Sequence, residues 1–251
     1  MNPARDGIQS RLDGHVATLM LDRPPHNFLD VGLVTALADA LDELDAEPRC
    51  RAVVLGSQGK SFCAGADLSD KPEPEQLYGQ AMRLFRTRKP MVAAVHGAAI
   101  GAGTGLALVA DFRIAGPAAR FAVNFNRLGF HPGFGTSLTL PRVVGVQHAA
   151  RLFYTGERID GARALAIGLV DELVDDDTVL GRAQALAAEI AVSAPGAVQS
   201  TRETLRMGLA QQVAELNARE LAVQRPQFES ADFREGVAAA AARRPPVFAD
   251  R

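Results

Sequence analysis

Two short segments concentrate the residues from which chemistry could be built. Residues 62–68 run Phe62, Cys63, Ala64, Gly65, Ala66, Asp67 and Leu68, and residues 97–105 place glycine at 97, 101, 103 and 105 around Ala102 and Thr104. Small side chains let a ligand approach the main chain closely, and N–H groups at the start of a helix have no acceptor inside it. Side by side, two such loops present a pair of free amide donors. Donors aimed in this way stabilise charge developing on a carbonyl oxygen, the arrangement called an oxyanion hole. The same glycines would equally serve tight packing of helix on strand.

Other signatures are incomplete. Gly59, Lys60 and Ser61 match the end of a phosphate-binding loop, but Val54 stands where its first glycine belongs. Gly101 and Gly103 are followed by Leu106 where a dinucleotide fingerprint needs its third glycine. There is no G-x-S-x-G elbow and no H-E-x-x-H, and Cys50 and Cys63 are too far apart for a C-x-x-C. His15, His26, His96, His131 and His148 are scattered, which gives a metal site little support.

The elements that must position the two loops follow from hydrophobic periodicity. Residues 15–21 read as a strand stopped by Pro24 and Pro25, after which Asp30 caps a helix carrying Leu33, Val34, Leu37, Leu41 and Leu44 at helical spacing. Residues 51–55 form a short buried strand, 59–70 a loop and 78–86 a helix. A third strand, 90–95, enters the glycine run, a short apolar helix reaches Ala110, and strands follow at 112–115 and 120–123. Strand and helix alternating in this way predict an α/β arrangement with crossovers. From about Gln147 only helical patterns appear, so residues 1–190 are expected to form the core and 191–251 a helical C-terminal region.

The 251 residues are 47% hydrophobic and 22% charged, with a net charge of −2, which argues against a dedicated nucleic-acid binder. No run approaches the length needed to cross a bilayer. Residues 1–11 lack the apolar stretch of a secretory signal, and two cysteines cannot build a disulfide framework, so a cytoplasmic setting is expected.

Several ordered motifs carry a resemblance. Residues 62–68, 96–111, 129–133, 140–145, 152–159 and 164–170, in a likeness running from 19–24 to 243–248, resemble the enoyl-CoA hydratase/isomerase (crotonase) superfamily. The resemblance implies a crotonase-like spiral of ββα turns whose helical C-terminal region assembles trimers, often as a dimer of trimers. It also implies an acyl-CoA thioester as ligand, with no metal or redox cofactor and neither nucleic acid nor membrane as partner. By position, the two oxyanion donors would be the backbone N–H groups of Ala66 and Ala102. His26, Phe28, Ala64, Asp67 and Leu68 would line the CoA channel, and Gly105, Phe125, Pro132 and Gly133 would border the acyl group.

The departures from the family pattern matter as much. Hydratases of the family use two glutamates, and those positions fall on Gly105 and Phe125 here; an aspartate used by many isomerases and dehalogenases falls on Gly133. Since general acid–base groups contribute about 10²–10⁴-fold each, ordinary hydration is expected to be weak or absent. Phe125, with Phe130 and Phe134, suggests an apolar or aromatic acyl pocket, whereas Phe121 reads as core. His131 is the candidate proton carrier, since imidazole titrates near neutrality. Strand alternation would turn Asn124 and Asn126 away from Phe125, and Glu215, Glu220 and Asp232 read as solvated faces. Three readings stay open: an enzyme stabilising a thioester enolate with noncanonical acid–base chemistry, an acyl-CoA decarboxylase or retro-Claisen hydrolase, and a non-catalytic acyl-CoA binding protein. A partner subunit supplying the missing acid or base is a further possibility.

Overall fold

The computed structural model describes residues 6–67 and 74–249. Strands β1 (Ile8–Asp13) and β2 (Val16–Leu21) form an antiparallel hairpin, and Asp30 then caps α1 (Val31–Ala46) by accepting the Leu33 N–H at 2.7 Å. Three consecutive stretches follow one plan: a strand in one sheet, a short strand in a second sheet, then a helix. They are β3 (Ala52–Ser57), β4 (Ser61–Cys63) and α2 (Pro74–Leu84); β5 (Met91–Val95), β6 (Ala98–Ile100) and α3 (Ala102–Ala107); and β7 (Phe112–Ala115), β8 (Arg120–Ala122) and α4 (Thr136–Thr155). After β9 (Ile159–Asp160), α5 (Gly161–Ala166) and β10 (Glu172–Leu173), four helices close the chain: α6 (Val179–Ala191), α7 (Pro195–Leu205), α8 (Leu209–Phe228) and α9 (Ala231–Ala241).

The first sheet runs β1-β2-β3-β5-β7-β10 and is parallel from β2 onward; the second runs β4-β6-β8-β9. This is the expected spiral of ββα turns. Strand parity sorts the core, because successive side chains face opposite sides of a sheet. Val53, Leu55, Met91, Ala93 and Val95 point into the main core, whereas Ala52, Val54, Val92, Ala94 and Ile114 meet α6. The α6 residues that meet them, Val179, Ala183, Ala187 and Ala191, recur every four residues and are mostly alanine, so the helix lies close on the sheet. The expected boundary at 190/191 thus falls at the end of a helix bound to the core.

Three expectations are corrected, the first being that the chain is only helical from about Gln147, since β9 and β10 each join a sheet there. Residues 59–70 were expected as loop, yet Ser61, Phe62 and Cys63 pair with the second sheet as β4; three residues are too few to show a period. The strand of 120–123 ends at Ala122, and Asn124–Leu128 winds into a 3-10 turn, so side chains there follow a three-residue period instead of a two-residue one.

Candidate active site

Each of the two small-residue loops makes its turn at a glycine placed just before the alanine of interest. Gly65 has φ +115° and Gly101 φ +54°, conformations that side chains disfavour, and they precede Ala66 and Ala102. Around Ala66 the chain is tied to Leu29 on one side: the Leu29 N–H donates to Gly65 at 2.8 Å and the Asp67 N–H donates to Leu29 at 2.9 Å. In such a parallel bridge the N–H of the central residue faces the other way. Ala102 is the first residue of α3, where an N–H has no acceptor within the helix. Among the described residues, neither alanine N–H donates to a backbone or side-chain acceptor outside its own element.

The two loops touch through their main chains. A Cβ on Gly103 would fall 2.0 Å from the Cys63 carbonyl oxygen, and one on Gly65 would fall 3.2 Å from that of Ile100. Only glycine permits this approach, which sets Ala66 and Ala102 along one cavity of about 890 Å³. Its walls are largely apolar: Phe28, Leu77, Leu128, Phe130, Phe228 and Val237, with Phe125 beside Gly101. Phe125, Phe130, Phe228 and Phe233 form one aromatic cluster whose neighbouring ring centroids lie 5.0–5.6 Å apart. Among the described residues, the carboxylates on the walls are Asp30, which is engaged in capping α1 and pairing with Arg23, and the exposed Asp67.

Comparison with known proteins identifies the family. The family model described as enoyl-CoA hydratase/isomerase matches residues 11–251. The chain belongs to the enoyl-CoA hydratase/isomerase family. It is 34% identical to a 1,2-epoxyphenylacetyl-CoA isomerase of Escherichia coli, over 96% of this chain and 97% of that protein. It is likewise 34% identical to a short-chain-enoyl-CoA hydratase of Clostridium acetobutylicum, over 78% of this chain and 80% of the relative. Its backbone is similar to crystal structures of an enoyl-CoA hydratase/isomerase from Pseudoalteromonas atlantica (TM-score 0.89, 32% identity, 97% and 100% of the two chains). It is equally similar to a carnitinyl-CoA hydratase from Mycobacterium avium (TM-score 0.89, 32% identity, 99% and 100% of the two chains).

Of the positions to which the family resemblance assigned a role, the cavity gathers Phe28, Ala64, Ala66, Asp67, Ala102 and Phe125, and it adds Asn124, which the 3-10 turn brings to the same side as Phe125. Leu68 lies outside the described residues. His26 is exposed and does not line the cavity; its carbonyl accepts the Ala64 N–H at 2.9 Å and its ring stands edge-on to Phe28. Gly105 is one helical turn beyond Ala102 and buried, where an added Cβ would meet Phe134 Cδ1 at 2.8 Å and Thr136 Cγ2 at 3.0 Å. Neither His131 nor Pro132 is on the cavity wall: the His131 Nδ1 donates to the Pro132 carbonyl at 2.7 Å, and the His131 N–H donates to Gln227 Oε1 at 2.7 Å. Gly133 is buried against the Tyr78 hydroxyl, 2.0 Å from where its Cβ would stand.

Sequence reasoning missed the polar cluster that backs this wall. Glu220, read as a solvated residue, is fully buried, as is Gln224, and Asn217 is buried beside them. The Glu220 carboxylate accepts the Gly135 N–H at 2.7 Å, the Ser137 N–H at 3.1 Å, the Asn217 side-chain amide at 3.0 Å and the Ser137 hydroxyl, so it caps the N-terminus of α4 from outside that helix. Gln224 Nε2 donates to the His131 carbonyl at 2.7 Å, and the Gln224 side chain also pairs with the Tyr78 hydroxyl. Burial pushes the Tyr78 phenol up, further than the Gln224 bond draws it down, so the hydroxyl keeps its proton. One signal was legible: Val213, Asn217, Glu220 and Gln224 follow core spacing along α8, so polar residues occupy an inward stripe.

Both cysteines are buried, and burial pushes the Cys63 thiol up to about 12, which makes it a packing residue and not a nucleophile. Among the described residues no three of His, Cys, Asp and Glu are grouped to hold a metal, and no helix is long and apolar enough to cross a membrane.

Proposed function

We propose that the protein binds an acyl-CoA thioester in this cavity and stabilises its enolate with the Ala66 and Ala102 N–H groups. The observation that carries the reading is the pair of unengaged amides, each following a glycine of positive φ, on one largely apolar cavity. Such donors act on the charge that appears on the thioester oxygen as the enolate forms. The aromatic cluster of Phe125, Phe130, Phe228 and Phe233 suits an apolar or aromatic acyl group. The ring-bearing acyl group in the name of the E. coli relative agrees with this.

Water addition is weak in this reading. Gly105 and Phe125 carry no proton, and Gly105 has no room for a larger side chain. Reactions that form the enolate without a side-chain base fit better. In a decarboxylation, the bond from the second acyl carbon to its carboxylate breaks, carbon dioxide leaves, and the bonding pair becomes the enolate that the two amides hold; solvent then returns a proton to that carbon. No metal or redox cofactor enters this step.

The test is a panel of purified protein with crotonyl-CoA, a malonyl-type CoA, a β-diketone CoA and aromatic acyl-CoA thioesters. Binding is read by heat-stability shift and turnover by mass spectrometry. Saturable binding with turnover of a carboxylated or diketone thioester supports the reading. Efficient hydration of crotonyl-CoA overturns the claim about Gly105 and Phe125, and saturable binding without any turnover assigns a binding protein instead. Self-association through the helical C-terminal region belongs to the same proposal, supported by the exposed Val192, Leu205 and Met207. Sedimentation should give the mass of three or six chains, and a single-chain mass would refute it.

A further inference from the structure

Resting on that thioester reading, we infer that Asn124 is a positioning residue: its carboxamide holds the water that returns a proton to the enolate, and so fixes the face from which the proton arrives. The ladder of the second sheet sets its place. Ile100 of β6 pairs with Ala122 of β8, and the Gly101 N–H donates to the Ala122 carbonyl at 2.7 Å. Asn124, two residues beyond Ala122, stands beside the turn that carries Gly101 and Ala102. A Cβ on Gly101 would lie 3.9 Å from Asn124 Oδ1 and 3.8 Å from the Phe125 ring. Since a Cβ is about 3 Å from the nitrogen of the next residue, the carboxamide is within about 7 Å of the Ala102 amide.

The other polar side chains on the cavity wall are differently placed. Asp30 caps α1 and pairs with Arg23, the Tyr78 hydroxyl faces Gly133 and pairs with Gln224, and Asp67 is exposed. The Asn124 carboxamide is half-buried on the wall, and among the described residues no protein group is hydrogen-bonded to it. A carboxamide offers two N–H donors and an accepting oxygen, and it stays uncharged. It can therefore hold a water without placing a second negative charge beside the enolate, as a carboxylate there would.

The proton return balances as follows. Loss of carbon dioxide leaves the enolate pair on the second acyl carbon. One O–H bond of the held water breaks, and its proton forms the new C–H bond with that pair. The electrons of the broken bond stay on oxygen as hydroxide, which accepts from Asn124 Nδ2 until solvent replaces it and carbon dioxide takes it up as bicarbonate. An enolate is planar, and with its oxygen on the two amides it is held in one orientation. A water tethered at the end of β8 then meets one face only. Phe125, Leu128 and Phe130, from the same segment of chain, have no proton to give.

Decarboxylation of methylmalonyl-CoA and benzylmalonyl-CoA by the full chain in heavy water tests this, with the configuration of deuterium at the second carbon read by NMR. The unaltered chain should give one configuration. Asn124→Leu and the smaller Asn124→Ala both remove the hydrogen bonds. They should give roughly equal amounts of the two configurations and lower kcat about 10-fold, with KM within about twofold. Asn124→Asp, equal in shape and still able to hold water, should keep the single configuration. A mixture from the unaltered chain overturns the inference, and that arm needs no variant. So does a single configuration from folded Asn124→Leu or Asn124→Ala: slower turnover alone would then be structural, and a raised KM would mean that the carboxamide touches the ligand directly. Loss of carbon dioxide from neither thioester would instead defeat the enolate reading on which the inference rests.

Discussion

Around Asp111 and around Ala66 and Ala102, polar groups sit in apolar surroundings on opposite plans. The Asp111 carboxylate is filled: it accepts the Met91 N–H at 2.8 Å, Arg202 Nε at 2.7 Å and Arg206 Nη1 at 2.7 Å, and so ties α7 to the sheet. Among the described residues the alanine amides have no acceptor outside their own element, and each follows a glycine turn. A filled group holds the fold together, whereas an empty and immobile one is prepared for a ligand. The buried carboxylates Asp111 and Glu220 both have structural duties, and among the described residues the carboxylates on the cavity wall are Asp30 and Asp67.

The contrast is broken most severely at Asp111. Asp111→Ala leaves two buried guanidinium groups without their anion and should cost about 3–5 kcal/mol of folding stability, read from urea unfolding. Burial pushes the Asp111 carboxyl up, but Arg202 and Arg206 outweigh it, and the group titrates below the ordinary carboxylate value. A depressed folded value means that the contribution is fully present above the unfolded pKa of about 3.9 and is lost as pH falls through the folded one. The stability gap between the unaltered chain and Asp111→Asn should therefore be flat at neutral pH and close only in strong acid. A gap that closes near pH 6 would mean another group is responsible.

At the amides the expected loss is in activity and not in folding. Ala102→Pro removes one N–H at the first helical position, where proline is well tolerated, so the fold should survive. Turnover of whichever thioester the panel identifies should fall about 10²–10³-fold, the usual effect of deleting one oxyanion donor. Retained turnover in a folded variant would reassign the donor.

Gly105 sharpens the comparison from a third side. The Phe134 ring and Thr136 occupy the space a side chain would need, so Gly105→Glu overpacks the first turn of α3. It should lower stability by about 1–3 kcal/mol without restoring crotonyl-CoA hydration. Restored hydration with unchanged stability would show that the site can accept the carboxylate after all.

How much of this was legible in the sequence depended on how local the signal was. Asp30 as a cap, the strands around Val53 and Val92, and the two glycine-led loops declare themselves within a few residues of chain. The side-by-side placement of Ala66 and Ala102 was inferable only through resemblance, because it arises from β4 pairing with β6, and β4 is three residues long. Tyr78 and Gln224 were invisible for a stronger reason: they meet at Gly133 from helices nearly 150 residues apart in sequence, and only packing brings them together. Glu220 misled because a glutamate on an alanine-rich helix usually faces water, and nothing in its neighbours announces the α4 terminus that it caps.

The smallest expected effect belongs to His131. Its sequence position beside Gly133 made it the natural proton carrier, since imidazole titrates near neutrality. In the fold its backbone, more than its ring, does the positioning. The carbonyl holds Gln224 and the N–H meets Gln227, while the ring turns back onto the Pro132 carbonyl and away from the cavity wall. Replacing the ring leaves all the backbone bonds in place, so His131→Ala should change turnover by less than about twofold and shift stability by about 1 kcal/mol at most. A 10-fold or greater loss of kcat, with a matching change in the pH profile near neutrality, would bring the imidazole back as the proton carrier and would require the 131–133 turn to move when a thioester binds.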